Sequence, residues 1–222
     1  MQQRSTYTSA GQPSVLQTNK VLRNTYMLLA MTLTFSAICA GVAMSMGLGQ
    51  GTAMIMSLGA LVMIFFLNKA AESSMGIWFV FAFTGLLGGS LGPMLNHYAG
   101  FPGGKETIVQ ALGTTALVFF ALSGYVLTTK KDFSFMGGFL LVGLVVAVVA
   151  SIANIFLGIP ALSLAVSAAI VFIMSGFILY DTSRIINGGE TNYIRATVSM
   201  YLNIYNLFTS ILHLLGVFGS DD

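Results

Sequence analysis

Seven long runs of apolar residues, separated by short polar stretches, dominate the pattern of this sequence. The runs are Asn24 to Met46, Leu48 to Leu67, Gly76 to Leu95, Thr107 to Leu127, Phe135 to Leu157, Ala161 to Leu179 and about Tyr193 to Phe218. Each is near the roughly 20 residues that a helix needs to cross a bilayer, and none carries a charge deep inside it. Backbone groups in lipid must be paired within their own segment, and the runs lack the period-2 alternation of a β-barrel. We therefore predict an all-α polytopic membrane protein with seven transmembrane helices.

Composition supports this prediction and narrows the chemistry. The 222 residues are 56% hydrophobic and only 7% charged, which is too little polar surface for a soluble domain. The single cysteine, Cys39, lies inside the first run, and the two histidines are far apart in sequence, so neither a disulfide framework nor a zinc site is predicted. We expect no metal and no cofactor. The net charge of +2 gives no reason to expect a nucleic-acid partner.

The distribution of basic residues predicts the orientation. When the amino-terminal tail is placed in the cytoplasm, eight of the nine Lys and Arg residues fall on that side and Lys105 alone falls on the other. The eight are Arg4, Lys20, Arg23, Lys69, Lys130, Lys131, Arg184 and Arg195. Because cytoplasmic loops carry an excess of Lys and Arg, the amino terminus is predicted to be cytoplasmic and the carboxyl terminus periplasmic. A re-entrant last segment would instead return the carboxyl terminus to the cytoplasm.

Three regions are predicted along the chain. Residues 1–19 are rich in Gln, Ser and Thr, with too few apolar residues to pack, and are expected to form a disordered cytoplasmic tail. The loops of residues 20–218 are short, so these residues are expected to form one seven-helix domain without a second domain. The longest exterior loop, residues 96–106, contains Pro102, Gly103 and Gly104. Residues 219–222 form a short acidic tail ending in Asp221 and Asp222.

Small residues mark helix faces that suit close packing. The third run carries Gly85, Gly88, Gly89 and Gly92, which would let a neighbouring helix approach closely. Pro93 follows directly and is predicted to end or bend the helix. Gly137, Gly138 and Gly143 offer a weaker face of the same kind on the fifth segment.

The last run differs from the others because its polar residues form one stripe. Steps of three and four residues place them on a single helix face. They are Asn192, Arg195, Ser199, Asn203, Asn206, Ser210 and His213. Such groups are costly against acyl chains, so this face is predicted to point inward and the last helix to be central. Two interpretations stay open: hydrogen bonding that only joins helices, or a polar path along the stripe.

Asp181 is the acidic residue that comes closest to a spanning segment, because it lies two residues after the end of the sixth run. An ionisable group there suggests a functional site. The alternative is a solvated carboxylate at a helix end, paired with Arg184 or with Lys69.

The segment from Gly88 to Gly92 matches the GxSxG pattern of a serine nucleophile. It falls inside a predicted spanning helix, whereas the motif requires a turn between a strand and a helix. An intramembrane serine protease that pairs Ser90 with His213 is a remote alternative, since no third, orienting acid is evident.

Several strings resemble one known family. The segment Phe83 to Leu95, which ends in GPML, resembles the glycine-rich signature of the Bax inhibitor-1 family. Tyr180 with Asp181, and the segment YLNIYNLF from Tyr201 to Phe208, resemble the last two helices of that family. Three further strings are similar to its bacterial YccA-like branch: KVLRNTY from Lys20, ALVFF from Ala116 and GGETNYIRATVS from Gly188. The resemblance covers about residues 20–216.

The resemblance implies seven helices with the last one central. Some family members are described as pH-sensitive calcium leak channels, in which two aspartates on the last two helices share a proton. Asp181 matches the first aspartate, but Asn203 stands where the second is expected. An amide cannot titrate, which weakens this mechanism and calcium binding here. Asp181, Asn203 and Asn206 remain the candidate pH sensor or gate, with calcium or protons as the candidate ions.

The YccA-like branch implies a different function, modulation of an FtsH-type membrane AAA protease in the bacterial inner membrane. Such a protease must engage unfolded chain, and the predicted amino-terminal tail would supply it. The leading hypothesis is therefore a non-enzymatic inner-membrane protein that binds and modulates this protease. The alternative hypothesis is a pH-sensitive cation leak along the last helix.

Overall fold

The computed structural model describes the backbone of residues 15–218 and the side chains of residues 18–217. This part of the chain contains eight α-helices and one short 3-10 turn, Ser134–Met136, and no strand. The helices are α1 (Val15–Ser45), α2 (Gln50–Ala70), α3 (Met75–Ser90), α4 (Gly92–Ala99), α5 (Gly104–Thr129), α6 (Gly137–Leu157), α7 (Pro160–Ile186) and α8 (Tyr193–Phe218). Over the described residues, seven segments are long and apolar enough to span a membrane, with α3 and α4 together forming the third. The predicted all-α fold with seven spans is confirmed.

The helices extend beyond the apolar runs, most clearly in α1 and α7. Helix α1 begins at Val15, so the predicted boundary of the tail at Asn19 is wrong for residues 15–19. Helix α7 continues to Ile186, seven residues past the end of its run. An apolar run shows only which residues can lie in the hydrocarbon core of the bilayer. A helix can extend beyond that core, because each added residue adds one backbone hydrogen bond. The remainder of the predicted tail, residues 1–14, and the acidic tail, residues 219–222, lie outside the described residues.

The third span is broken where the proline was predicted to end or bend it. Helix α3 ends at Ser90 and α4 begins at Gly92, with Pro93 in its first turn, where the missing N–H is not needed. Helix α4 covers the first part of the predicted exterior loop, because residues up to Ala99 are helical. The connection to α5 is therefore only residues 100–103, much shorter than predicted.

The glycines of the third span, in α3 and at the start of α4, form the predicted close contact with neighbouring helices. A Cβ atom at Gly88 would collide with the backbone oxygen of Ser36, and one at Gly92 would lie 2.7 Å from the Cβ of Ala43, both on α1. Gly89 faces α2 instead, where the end of the Met56 side chain occupies the space. On α6, Gly137 and Gly143 face α7, whereas Gly138 has no neighbour within 4 Å.

Helix α8 is the centre of the bundle. It packs against α1, α3, α5 and α7, and its Met200, Tyr201, Leu207 and Leu212 side chains are fully buried. None of the stripe residues from Asn192 to His213 is exposed, and Asn203 and Ser210 are buried. Helices α2 and α6 lie at the periphery and present large apolar side chains outward.

One end of the bundle gathers most of the basic residues, and we call it the basic end. It contains the start of α1 and the α2–α3, α5–α6 and α7–α8 connections, which are joined by hydrogen bonds. The Asn192 side chain donates to the Ala71 carbonyl (2.8 Å), and the Phe133 N–H donates to the Ser183 hydroxyl (2.8 Å). In the α5–α6 connection, a hydrogen bond from the Ser134 N–H lowers the pKa of the Asp132 carboxyl. Arg4 lies outside the described residues.

Candidate functional site

Asp181 lies inside α7, one and a half turns before its end, and not at a solvated helix terminus. Only 6% of the residue is exposed, so the interpretation as a solvated carboxylate is wrong. The neighbouring Thr182 and Ser183 are also buried, because this part of α7 faces α8 and the α5–α6 connection. Helix α7 therefore continues past its apolar run through buried polar residues and the buried Ile185.

Two side chains of α8 donate hydrogen bonds to the same oxygen of Asp181. The Ser199 hydroxyl and the Asn203 amide both lie 2.7 Å from Oδ2. Asn203 is 5% exposed, so this hydrogen bond is buried within the bundle. Ser199 and Asn203 are four residues apart and project from one face of α8 toward α7. The structure thus brings Asp181 and Asn203 together, as the resemblance to the family's aspartate pair implies.

Asp181 lines a cavity of about 260 Å³ at the basic end of the bundle. Polar side chains contribute much of its lining: Asn68, Asp181, Arg184, Glu190, Arg195 and Ser199. Its apolar wall includes Leu67 and Leu202. The cavity has the size and polarity to hold water or a small cation next to Asp181.

The basic groups around this cavity pair with Glu190 and not with Asp181. Arg184 and Arg195 contact the Glu190 carboxylate at 3.7 Å and 3.6 Å, and Arg195 also contacts Glu72 at 3.6 Å. The Arg184 side chain additionally donates to the Gly189 carbonyl. Within the described residues, neither Arg184 nor Lys69 forms an ion pair with Asp181, so neither predicted ion-pair partner was correct.

Sequence reasoning did not single out Glu190. Its side chain is 15% exposed, and its carboxylate also accepts a hydrogen bond from the Asn192 N–H. The sequence did contain an indication of this role. Glu190 is the single acidic residue between Arg184 and Arg195 in the sequence, and it follows two glycines. Gly188 has a φ of +76°, which turns the chain at the end of α7 and returns it over the cavity.

The remaining stripe residues do not reach Asp181. The Asn206 amide donates to the Leu202 carbonyl of its own helix (2.8 Å), and His213 Nδ1 lies 2.8 Å from the Ser167 hydroxyl on α7. Ser210 is buried. Two tyrosines of α8, which fall outside the stripe, form polar contacts that the sequence did not predict. The Tyr201 hydroxyl lies 2.6 Å from Ser36 Oγ, and the Tyr205 hydroxyl lies 3.1 Å from Ser90 Oγ.

The geometry does not assemble a serine nucleophile with a histidine base. Ser90 donates to the Leu87 carbonyl (2.7 Å) and contacts Tyr205, whereas His213 contacts Ser167. Ser90 lies at the end of α3, and the strand-to-helix turn that the motif requires is absent from the described residues. The pairing of Ser90 with His213 is therefore wrong.

The fold and the site define a class: a seven-helix membrane protein with a central last helix and a buried carboxylate between the last two helices. The family model described as "Inhibitor of apoptosis-promoting Bax1" matches residues 18–220 of this chain. The chain therefore belongs to the Bax inhibitor-1 family.

Similar proteins occur in several bacteria. The Escherichia coli protein named "Modulator of FtsH protease YccA" is 53% identical over 209 residues, which cover 94% of each chain. A membrane protein of Vibrio cholerae is 54% identical over 208 residues, which cover 93% of each chain. A protein of a second Escherichia coli strain, named "Inner membrane protein YccA", is also 53% identical over 209 residues, which cover 94% of each chain. Together with the seven apolar helices, these matches show that the chain is a multi-pass membrane protein.

Proposed function

We propose that this protein modulates an FtsH-type membrane AAA protease and is not itself an enzyme. The observation that carries the proposal is the 53% identity, over 94% of both chains, to the Escherichia coli protein named as a modulator of FtsH protease. Identity at this level over nearly the whole length favours a shared function more strongly than a shared fold does. We place the protein in the bacterial inner membrane, with the basic end and the amino terminus in the cytoplasm and the carboxyl terminus in the periplasm.

The amino-terminal tail is the proposed point of engagement by the protease. Unfolding must begin at a segment that lacks tertiary contacts, and the composition of residues 1–14 predicts such a segment at the proposed cytoplasmic side. The rest of the cytoplasmic surface consists of short connections that are joined by hydrogen bonds. These connections are poor starting points for unfolding, because their backbone groups are already paired.

Deleting residues 2–14 is expected to prolong the cellular half-life of the protein in a strain that contains the protease and to abolish its effect on degradation of a second substrate. The measurement is a pulse-chase of the chain and of that substrate, with and without the protease. A matched variant replaces residues 2–14 by a Gly/Ser segment of equal length and should still be degraded, because flexibility is the required property. Degradation of the deletion variant at the parent rate would contradict the proposal.

A second candidate function, a pH-sensitive cation leak, is favoured by one observation of its own. The Asp181 carboxylate lines a cavity of about 260 Å³ while remaining 6% exposed, an arrangement suited to exchange of a proton or a cation with water. Asn203 supplies a donor at this point and no second negative charge, so a proton or a monovalent cation is a better candidate than calcium.

The Asp181→Asn variant is expected to abolish the pH dependence of any cation flux while leaving the fold intact. The two side chains have nearly the same shape, and an amide oxygen still accepts the hydrogen bonds from Ser199 and Asn203. Flux through reconstituted vesicles is measured over a pH series. The control is Asp132→Asn, which removes an acid at the same end of the bundle but outside the cavity. If the Asp181→Asn variant keeps the parent profile, or if the parent shows no flux above empty vesicles, the leak hypothesis is wrong.

A further inference from the structure

Helices α1 and α5 flank a lateral cavity of about 470 Å³ that is separate from the Asp181 site. Both helices pack on α8 and α4, but they face each other across this space. The inner wall is formed by α8, through Tyr201, Ile204, Tyr205 and Phe208. The Tyr26 and Phe119 rings, whose centroids are 6.0 Å apart, bridge the two flanking helices. We call this space the α1–α5 groove.

The groove exists because α1 presents small side chains along this face. Ala30, Ala37, Ala40 and Gly41 all line it, and a Cβ atom built on Gly41 would meet nothing within 4 Å. The lining is almost entirely apolar, and the flanking helices carry exposed apolar residues such as Leu112 and Phe120. The groove is therefore continuous with the surface that faces lipid, and hydrocarbon can enter it from the side.

Two basic residues of α1 lie beyond the groove at the basic end. Arg23 precedes Tyr26 by three residues and lies on the α1 face that continues through Ala30 and Ala37, and Lys20 lies about one turn before Arg23. Lys20 and Arg23 are exposed, and within the described residues neither forms an ion pair. The Tyr26 side chain lines the groove next to this charged segment. Two positive charges without an ion-pair partner in the described part of the chain, beside an apolar groove, favour a ligand with an anionic head and a hydrocarbon chain.

We propose that the α1–α5 groove binds an anionic phospholipid from the leaflet at the basic end. One acyl chain occupies the groove, the ester region lies beside Tyr26, and the phosphate lies between Lys20 and Arg23. The groove from Tyr26 to Met44 is about 27 Å long at about 1.5 Å of rise per residue, which exceeds the depth of one leaflet. Its volume of about 470 Å³ lies within the range of about 300–1,000 Å³ that is typical of small-molecule sites.

The groove is tested with the Ala37→Phe variant of the full-length protein, which places a ring in the space for the acyl chain. Purified protein is titrated with phosphatidylglycerol or with phosphatidylcholine of the same chain composition, and bound lipid is counted by native mass spectrometry. The parent is expected to bind one phosphatidylglycerol in preference to phosphatidylcholine, and Ala37→Phe is expected to lose that lipid. The matched control is Ala169→Phe, which adds the same ring on the exposed face of α7 and should bind lipid as the parent does.

The headgroup is tested with the double variant Lys20→Gln and Arg23→Gln. Removing two basic groups near an anionic headgroup is expected to weaken phosphatidylglycerol binding about thirtyfold, with little change for phosphatidylcholine. The double variant Lys130→Gln and Lys131→Gln removes the same charge at the same end and should keep the preference. Circular dichroism and thermal unfolding of each variant verify that its fold is intact.

Three results would overturn the proposal. The first is equal lipid binding by Ala37→Phe and Ala169→Phe, and the second is binding without a headgroup preference or retention of a free fatty acid in place of phospholipid. The third result combines two observations: the parent binds no lipid, and the protease co-purifies with the parent and with Ala169→Phe but not with Ala37→Phe. That result would mean that a protein helix, and not a lipid, occupies the groove. The lipid measurement uses purified protein without protease, so its failure is distinguishable from failure of the proposed protease modulation.

Discussion

The Gly88→Val variant is expected to lose about 3 kcal/mol of unfolding free energy, because α1 and α3 can no longer approach each other. A Cβ atom at this position would lie 2.8 Å from the Ser36 Cα and would collide with the Ser36 backbone oxygen. Backbone atoms cannot rotate away, so the whole of α1 must move. That movement would also separate the Ser36 hydroxyl from the Tyr201 hydroxyl, now 2.6 Å apart. The measurement is denaturation in detergent micelles, followed by circular dichroism.

Two matched variants separate this packing effect from the intrinsic cost of valine in a helix. Gly113 on α5 has no neighbour within 4 Å, so Gly113→Val should change stability by no more than about 0.5 kcal/mol. Gly89 faces the flexible end of Met56, which can adopt another rotamer, so Gly89→Val should cost less than Gly88→Val. Equal stabilities of the Gly88 and Gly113 variants would show that α1 and α3 do not depend on this contact.

The Asn203→Asp variant is expected to become less stable as the pH rises, by about 3 kcal/mol relative to the parent. Asn203 now donates to Asp181 across 2.7 Å, and an aspartate in its place would bring a second carboxylate to that distance. Two charges about 3 Å apart repel by about 5 kcal/mol at an effective dielectric constant near 20, and a shared proton relieves part of this. At low pH one carboxyl group carries a proton and donates to the other, so the repulsion disappears. Unfolding free energies between pH 5 and pH 9 measure the effect.

A charge swap provides the control for this prediction. The double variant Asp181→Asn and Asn203→Asp returns one amide and one carboxylate to the same pair, so its pH profile should match that of the parent. A swap that keeps the pH sensitivity of the single variant would mean that other charges, such as Glu190 or Arg195, determine the response. A flat profile for the single variant would mean that the two side chains are not in contact in the membrane.

The pairing of Asp181 with an amide, Asn203, fixes which group donates and which accepts in the α7–α8 contact. An aspartate pair can alternate between a protonated and a doubly charged state, whereas an aspartate with an amide keeps one acceptor and one donor in place. The hydrogen bonds from Ser199 and Asn203 therefore join α7 to α8 with a defined geometry. Such a rigid junction suits the proposed modulator, because it would slow unfolding of the helix bundle after the protease engages the tail.

The α7–α8 connection adds a second constraint at the same place. Glu190 lies between Arg184 and Arg195 and closes the outer side of the cavity that Asp181 lines. These contacts are partly exposed, so each ion pair contributes little by itself, and the backbone hydrogen bonds of the loop hold it in position. The loop therefore remains folded over the cavity, while the Arg184 and Arg195 side chains stay partly exposed to water.

Some features follow from short-range patterns and were predictable from the sequence. The seven spans follow from the length of the apolar runs, since the bilayer sets a fixed thickness. The inward face of α8 follows from spacing, because polar groups such as Asn203 and His213 avoid acyl chains at any position in the bundle. The contact of Gly88 with another helix follows from the absence of a side chain, although the sequence could not name α1 as the partner.

Other features depend on which residues distant in sequence meet in space, and only the tertiary structure decided them. The burial of Asp181 requires α7 to extend to Ile186 and to pack on α8, and the role of Glu190 requires the loop to fold back over that contact. The α1–α5 groove arises because two helices that are separated by more than 50 residues pack on the same central helix without filling the space between them. A periodic pattern specifies which face of a helix turns inward. The identity of the neighbour, and any gap beside it, depends on how all the faces fit together.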